Sequence, residues 1–144
     1  MEGQTSAVRR KILVIDDEPE IVQLVSGALQ RTGRYEVITA TGGRQGLEMA
    51  RTERPDLVLL DVLMPDMEGT EIAQRLSDDP VTRDIVIVFC TALAIPMAFL
   101  ASLMAHESLR EKAGKVGGFY FLQKPIAPGE LTERLDAILA PSSQ

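Results

Sequence analysis

The stretch that decides the fold is residues 56–65, DLVLLDVLMP. Its four apolar residues, Leu57 to Leu60, run into a single carboxylate, Asp61. A short continuous apolar run between turn signals is typical of a strand buried on both faces of a parallel sheet. Open α/β sheets bind their ligands outside the carboxyl ends of the strands. Asp61 is therefore either an acid that begins the following helix or a reactive carboxylate, and the other strand ends must decide between them.

Composition limits the class of protein. The chain has 144 residues, of which 45% are hydrophobic and 25% charged, which is typical of one globular domain. Its net charge of −6 argues against nucleic-acid binding by the domain itself, since that needs a basic surface. Cys90 is the only cysteine, so no internal disulfide forms, and no apolar stretch suits a signal peptide or a membrane span. We therefore expect a soluble cytoplasmic protein without membrane partners.

Apolar strands alternate with amphipathic helices along the whole chain. The predicted strands are residues 11–15, 35–40, 56–61, 84–90 and 118–123. The predicted helices begin at residue 19, with a stop at residue 33, and span residues 43–53, 68–77, roughly 96–115 and 129–139. Five such pairs predict an α/β sandwich around a parallel sheet. We expect one domain over residues 10–140, with tails at residues 1–9 and 141–144.

Chemically capable residues stand at the ends of four predicted strands. Asp16 and Asp17 follow the first strand, Asp61 ends the third, Thr91 follows the fourth and Lys124 follows the fifth. These ends share one edge of a parallel sheet. Crowded carboxylates repel one another unless a cation enters, and hard oxygen ligands suit Mg²⁺. The set indicates a phosphoryl-transfer site in which a carboxylate is the nucleophile.

On these residues the chain resembles the receiver domain of bacterial two-component response regulators. The matching motifs are IDDEP (15–19), LLDVLMPDMEG (59–69), CTA (90–92) and LQKP (122–125), in that order. The resemblance covers about residues 11–139. It implies a five-stranded parallel sheet in a (βα)5 doubly wound sandwich of the flavodoxin or CheY type, with an extended fourth helix region.

The resemblance also implies a phosphorylation site that uses Mg²⁺. Asp61 is expected to accept a phosphoryl group from a sensor histidine kinase or a phosphotransfer protein. Asp17, Asp61 and the backbone carbonyl of Leu63 are expected to hold Mg²⁺, with Asp16 contributing through water. The domain is expected to phosphorylate and dephosphorylate itself and otherwise not to act as an enzyme.

Three further residues complete the expected site. By resemblance, Thr91 and Lys124 bind the phosphoryl oxygens, and Thr91 and Phe121 are switch residues. Each has a simpler interpretation: Thr91 ends a strand, Phe121 is a core residue, and Lys124 is a solvated loop lysine. Phe121 replaces the commoner tyrosine of the family. The segment between Thr91 and Lys124 is longer than in a typical receiver domain.

Two other functions stay open at this point. One is an adaptor of the same fold that is not phosphorylated, although such adaptors usually lose the acid pair, the aspartate or the lysine. The other is an aspartate-nucleophile phosphohydrolase, which normally places two acids two residues apart, whereas Asp16 and Asp17 are adjacent.

Residues 92–105 carry more apolar side chains than one helix face buries, and we hypothesise that some form a docking or homodimer surface. The downstream partner cannot be named.

Two patterns also have a structural interpretation. The acids of the run from Asp16 to Glu18 suit the positive end of the helix that begins at Pro19. The glycine-rich run at residues 42–46, GGRQG, imitates a dinucleotide-binding pattern. It lacks the G-x-G-x-x-G order and follows the second strand, so we discard that interpretation.

Overall fold

The computed structural model describes residues 9–62, 64–91, 101, 104, 105, 107, 119–124 and 127–140, without the side chains of residues 91, 119 and 123. The strands are β1 (Arg10–Ile15), β2 (Tyr35–Ala40), β3 (Leu57–Asp61), β4 (Val86–Thr91) and β5 (Phe119–Gln123). The helices are α1 (Pro19–Arg31), α2 (Gly43–Glu53), α3 (Gly69–Asp78) and α4 (Pro128–Leu139). None of these described helices has the length and apolarity needed to cross a bilayer.

The five strands form one parallel sheet in the order β2-β1-β3-β4-β5, which confirms the predicted α/β architecture. In the register, Ile15 lies opposite Leu60, and Asp61 lies opposite Cys90. β3 is the central strand, and all five of its residues are buried. The strand that ends in Asp61 is therefore held by neighbours on both sides.

Helices cover both faces of the sheet because successive side chains of a strand point to opposite faces. On β1, Leu13 and Ile15 pack in one core layer with Ile72 and other residues of α2 and α3. Ile12 and Val14 pack in the other layer, with residues of α1 and α4. The continuous apolar strands of the sequence are thus buried on both faces, which confirms the predicted doubly wound sandwich.

The predicted strand at residues 84–90 begins and ends later in the structure, at Val86 and Thr91. A turn precedes it, in which the Thr82 amide donates to the Asp79 carbonyl and the Ile85 amide donates to the Thr82 carbonyl. The Thr82 hydroxyl, buried in this turn, donates to the Leu76 carbonyl at 2.7 Å. Apolar periodicity does not report such a hydrogen-bonded turn, so the sequence placed the strand too early.

Most of the predicted helix at 96–115 lies outside the described residues. Residues 101, 104, 105 and 107 are described, and they are helical. Met104, in that stretch, is 36% exposed. The proposed docking or homodimer surface within residues 92–105 therefore stays a prediction.

Candidate functional site

Three charged side chains from the ends of different strands meet at the carboxyl edge of the sheet. Asp16 directly follows β1, where its amide donates to the Ala40 carbonyl at the end of β2. Asp61 is the last residue of β3, and Lys124 directly follows β5. Asp16 is 3% exposed and Asp61 8% exposed, so both carboxylates are withdrawn from solvent. The sequence predicted this meeting correctly for all three residues.

Lys124 lies between the acids. Its Nζ is 2.9 Å from Asp16 Oδ2, 3.6 Å from Asp61 Oδ1 and 3.4 Å from Glu18 Oε1. Its side chain is only 12% exposed. The interpretation of Lys124 as a solvated loop lysine is therefore wrong, since the ammonium group is held inside the acidic cluster.

The surroundings of Lys124 keep its ammonium group charged. Burial alone would lower the pKa of Lys124, since it disfavours the charged form. The hydrogen bond to Asp16 and the negative charges of Asp61 and Asp16 act in the opposite direction and outweigh burial, so the pKa is raised above its usual value. The site therefore holds a permanent positive charge at neutral pH.

The same acids are suited to a divalent cation. Asp16, Glu18 and Asp61 each offer a carboxylate oxygen, and these oxygens lie within 4.8 Å of one another. Hard oxygen ligands at this spacing, two of them on buried residues, fit Mg²⁺. Asp17, which the sequence predicted as a ligand, is half-buried and is not a member of this group. The role of Asp17 stays a prediction.

Glu18 is the member of the cluster that sequence reasoning missed. The sequence predicts an acid at the start of α1, and Glu18 is indeed the N-cap residue there, without a side-chain capping bond. Its amide instead donates to Asp16 Oδ1 at 3.0 Å, and this bond folds the chain so that the Glu18 side chain reaches Lys124. The signal in the sequence was the third consecutive acid after Asp16 and Asp17.

The chain after Asp61 turns sharply, and Gly69 makes this turn possible. The Val62 amide donates to the Cys90 carbonyl at 3.2 Å, and the Gly69 amide donates back to the Val62 carbonyl at 3.0 Å. A Cβ atom on Gly69 would lie 3.0 Å from the Val62 Cα and 3.3 Å from the Asp61 carbonyl oxygen. Any larger residue at position 69 would therefore push against the backbone that carries Asp61. Leu63, the predicted carbonyl ligand, lies outside the described residues.

Phe121 is half-buried in the middle of β5, opposite Phe89 and three residues before Lys124. Its ring stacks on that of Phe89, with 5.3 Å between the ring centroids and an interplanar angle of 21°. This contact supports the simpler interpretation of Phe121 as a core residue, and its switch role stays a prediction. The backbone of Thr91 pairs with Gln123, but the side chain of Thr91 lies outside the described residues.

An apolar cavity lies on the α1 and α4 side of the sheet, beside the acidic cluster. Its apolar lining includes Leu59 and Cys90 of the sheet, Leu24 of α1 and Leu131 of α4. Burial raises the pKa of the Cys90 thiol to about 12, because a thiolate is poorly solvated there. Cys90 is therefore a small core residue whose thiol stays protonated at neutral pH.

Comparison with known proteins identifies relatives over nearly the whole chain. The family profile described as "Response regulator receiver domain" matches residues 12–136. The chain is 35% identical to the alkaline phosphatase synthesis transcriptional regulatory protein PhoP of Bacillus subtilis, over 95% of this chain and 54% of that protein. It is 34% identical to the phosphate regulon transcriptional regulatory protein PhoB of Pseudomonas aeruginosa, over 92% of this chain and 52% of that protein. The chain thus spans about half the length of these curated relatives.

A solved structure agrees in fold and in length. The chemotaxis protein CheY4 of Vibrio cholerae superposes with a TM-score of 0.74 at 31% sequence identity. The match covers 92% of this chain and 100% of the CheY4 chain. The family profile and the solved structure thus agree over the part of the chain that carries Asp16, Asp61 and Lys124.

Proposed function

The chain belongs to the response regulator receiver family, whose members act in two-component phosphorelay signalling, and within that family we propose that Asp61 is its phosphoacceptor. Receiver domains are signalling domains rather than enzymes of metabolism. We propose that this one catalyses only its own phosphorylation and dephosphorylation. Its proposed bounds are residues 10–140.

The observation that carries this proposal is the position of Lys124 Nζ, 2.9 Å from Asp16 Oδ2 and 3.6 Å from Asp61 Oδ1. A carboxylate that must accept a phosphoryl group needs nearby positive charge, because the transferred group brings negative charge to an acidic site. Lys124 supplies this charge, and burial of its side chain keeps the ammonium group in contact with the acids. The meeting of acceptor and cation supports phosphoryl transfer over a purely structural cluster.

Mg²⁺ is the proposed cofactor. Asp16 and Asp61 would hold it, together with Asp17 and the Leu63 carbonyl that the family resemblance implies, and Glu18 is close enough to join them. When bound, Mg²⁺ neutralises the crowded carboxylates and the oxygens of the transferred group. Asp16 would also keep Lys124 in place through its direct contact with Nζ.

In the proposed step, a carboxylate oxygen of Asp61 attacks the phosphorus of a phosphohistidine on a sensor histidine kinase or a phosphotransfer protein. A new P–O bond forms as the P–N bond breaks, and the imidazole leaves with its electron pair. Lys124, and by resemblance Thr91, would bind the phosphoryl oxygens. Hydrolysis by water returns Asp61 to the carboxylate and releases phosphate.

We propose that phosphorylation switches protein–protein contacts of this domain, in the cytoplasm. PhoP and PhoB are transcriptional regulators about twice as long as this chain. DNA binding in such a protein would need the part that this chain does not match. We expect the contacts that change to lie on this domain, with residues 92–115 and Phe121 as the expected region.

Intact mass after incubation with acetyl phosphate and MgCl₂ tests the proposed function. We expect one phosphoryl adduct on the wild type, no adduct on Asp61→Asn, and none on the wild type with EDTA. The matched control is Asp84→Asn, which removes the same charge from an exposed aspartate at the opposite edge of the sheet and should leave the adduct unchanged. An adduct that persists in Asp61→Asn would assign the acceptor to another residue.

Failure of the wild type to take up a phosphoryl group, with no response to beryllofluoride, would contradict phosphoacceptor function. That outcome would favour an adaptor that is not phosphorylated. Turnover of a generic phosphomonoester by the wild type would instead favour the phosphohydrolase.

A further inference from the structure

The glycine-rich run that precedes and begins α2 has a structural partner in the loop after Asp61. The N-cap of α2 is Gly42, which has no side chain to accept the free amides of the first turn. Asp66 supplies the missing acceptor from 22 or more residues away. The Gly43 amide donates to Asp66 Oδ1 at 3.0 Å, and the Arg44 amide donates to Asp66 Oδ2 at 3.2 Å. One carboxylate thus caps a helix to which it is not adjacent in sequence.

The glycines leave room for this contact. A Cβ atom on Gly42 would lie 3.3 Å from Asp66 Oδ2, and one on Gly43 would lie 2.8 Å from the Cβ atom of Met67. Both distances are shorter than ordinary contacts between side chains. The loop at residues 64–68 therefore lies directly against the beginning of α2, which explains two of the glycines in a pattern that is not a nucleotide-binding motif.

The two ends of the loop have different anchors. At its base, the Gly69 amide donates to the Val62 carbonyl, next to Asp61. At its outer part, Asp66 binds the two amides of α2 with both carboxylate oxygens. The described part of this loop, residues 64–68, follows Asp61 closely in the chain. Its conformation therefore depends on α2 as well as on β3.

We propose that Asp66 is a positioning residue for the phosphorylation site, because it clamps the loop after Asp61 to the start of α2. This inference rests on the proposed function of Asp61. The carboxylate of Asp66 acts through backbone hydrogen bonds and touches neither Mg²⁺ nor the phosphoryl group. Bonds from amides to a charged carboxylate at a helix N-terminus are stronger than neutral ones, so they suit a clamp. Without them, the loop would lose its outer anchor while β3 keeps Asp61 in the sheet.

The test compares Asp66→Ala and Asp66→Asn with the wild type in two measurements. The first is amide hydrogen exchange of the peptide covering residues 62–68 in metal-free protein. The second is Mg²⁺ affinity by calorimetry. For Asp66→Ala we expect about tenfold faster exchange and about tenfold weaker Mg²⁺ binding, the lower end of the range for residues that support metal ligands. Asp66→Asn keeps an oxygen acceptor and a good capping side chain, so it should recover most of both properties.

The matched control is Asp79→Ala. Asp79 is also an aspartate just beyond a helix, and it accepts bonds from the Val81 amide at 2.9 Å and from Arg51 Nε at 2.5 Å. It lies beyond the carboxyl end of α3, away from the loop after Asp61. Loss of Asp79 should leave both the exchange of residues 62–68 and Mg²⁺ affinity unchanged. Equal effects of Asp66→Ala and Asp79→Ala would overturn the proposal, since they would indicate only general destabilisation.

Phosphoryl uptake by the wild type separates this inference from the proposed function. If the wild type takes up the group and Asp66→Ala matches it in exchange and in Mg²⁺ affinity, the positioning role is overturned and Asp61 keeps its function. If the wild type takes up no phosphoryl group and binds no Mg²⁺, both proposals fail. If it binds Mg²⁺ without being phosphorylated, the proposed function fails, and the exchange of residues 62–68 still decides whether Asp66 is a clamp.

Discussion

Charged side chains from distant parts of the chain meet at both edges of the sheet, but under different conditions. At the carboxyl edge, Lys124 binds Asp16 with side chains only 12% and 5% exposed. At the opposite edge, Arg34 binds Asp136 of α4 at 2.6 Å with side chains 56% and 41% exposed. The buried pair replaces water on both partners, whereas the exposed pair keeps most of it. Both pairs join a cation to an aspartate, so burial must decide how much each pair contributes to the free energy of unfolding.

The opposite edge also holds a buried tyrosine. Tyr35, at the start of β2, is 4% exposed, and its hydroxyl donates a short hydrogen bond to Asp136. Burial of Tyr35, and then the hydrogen bond to Asp136, raise the pKa of the phenol above its usual value. The stabilising element at this edge is therefore the tyrosine rather than the arginine. Three substitutions test the comparison, in order of decreasing effect.

Lys124→Met should have the largest effect on stability. It removes the cation that contacts both Asp16 and Asp61, and breaking a buried ion pair costs about 3 kcal/mol. We expect a loss of about that size in urea unfolding without divalent cations. Millimolar MgCl₂ should restore part of it, because Mg²⁺ binds the folded state and replaces the missing charge.

Phosphoryl uptake should also be strongly reduced in Lys124→Met, while Mg²⁺ binding should strengthen. A stability loss that does not respond to MgCl₂ would contradict the assignment of a cation site to these acids. If Lys124→Met were as stable as the wild type, the buried ion pair would contribute no more to stability than the exposed one.

Tyr35→Phe should have an intermediate effect. The buried hydroxyl loses its bond to Asp136, and such a bond contributes about 1 kcal/mol. The pKa of Tyr35 is raised in the folded state, so the folded protein holds the phenolic proton more tightly than the unfolded chain does. The resulting stabilisation is present below the unfolded pKa of about 10 and is lost as the pH rises above it.

Unfolding free energies of the wild type and Tyr35→Phe between pH 8 and about pH 11 measure this effect. The wild type should lose more stability with rising pH than the variant, and the two should converge. Lys124 also has a raised pKa and is present in both proteins, so its contribution cancels in the comparison. Parallel pH profiles would show that Tyr35 titrates alike in both states.

Arg34→Met should have the smallest effect, although it too replaces a paired cation with methionine. Exposed ion pairs contribute about 0.5 kcal/mol, and salt screens them. We expect a loss of about that size at low salt, and less at about 1 M NaCl, by thermal or urea unfolding. A loss as large as that of Lys124→Met would mean that exposure does not separate the two edges.

The fold followed from the sequence because burial on both faces leaves a simple pattern. Continuous apolar strands such as Leu57 to Leu60 have no polar face, so they fit only a sheet covered on both sides. The edge at which Asp16, Asp61 and Lys124 meet follows from the direction of parallel strands. These inferences use only the backbone direction and the two-residue repeat of a strand.

The parts that sequence analysis missed depend on how loops bend. Glu18 joins the cluster because its amide donates to Asp16 and turns the chain, whereas the family resemblance implied Asp17. Asp66 caps α2 because three-dimensional packing brings a loop to a helix that lacks its own cap. Helix-capping rules look only at neighbours in sequence, so they pass over such a residue.

The order of the strands has a consequence for how the site comes into being during synthesis. β1, β2 and β3 lie within the first 61 residues and pair as β2-β1-β3, so a half-sheet with both acids can form early. Lys124 follows the last strand, more than 60 residues later. A growing chain therefore carries two like charges side by side until Lys124 emerges, and their repulsion opposes early closure of that edge. The proposed acceptor gains its neighbouring cation only after β5 has been made. A chain that stops before β5 would therefore contain Asp61 but lack the ammonium group proposed to bind the phosphoryl oxygens.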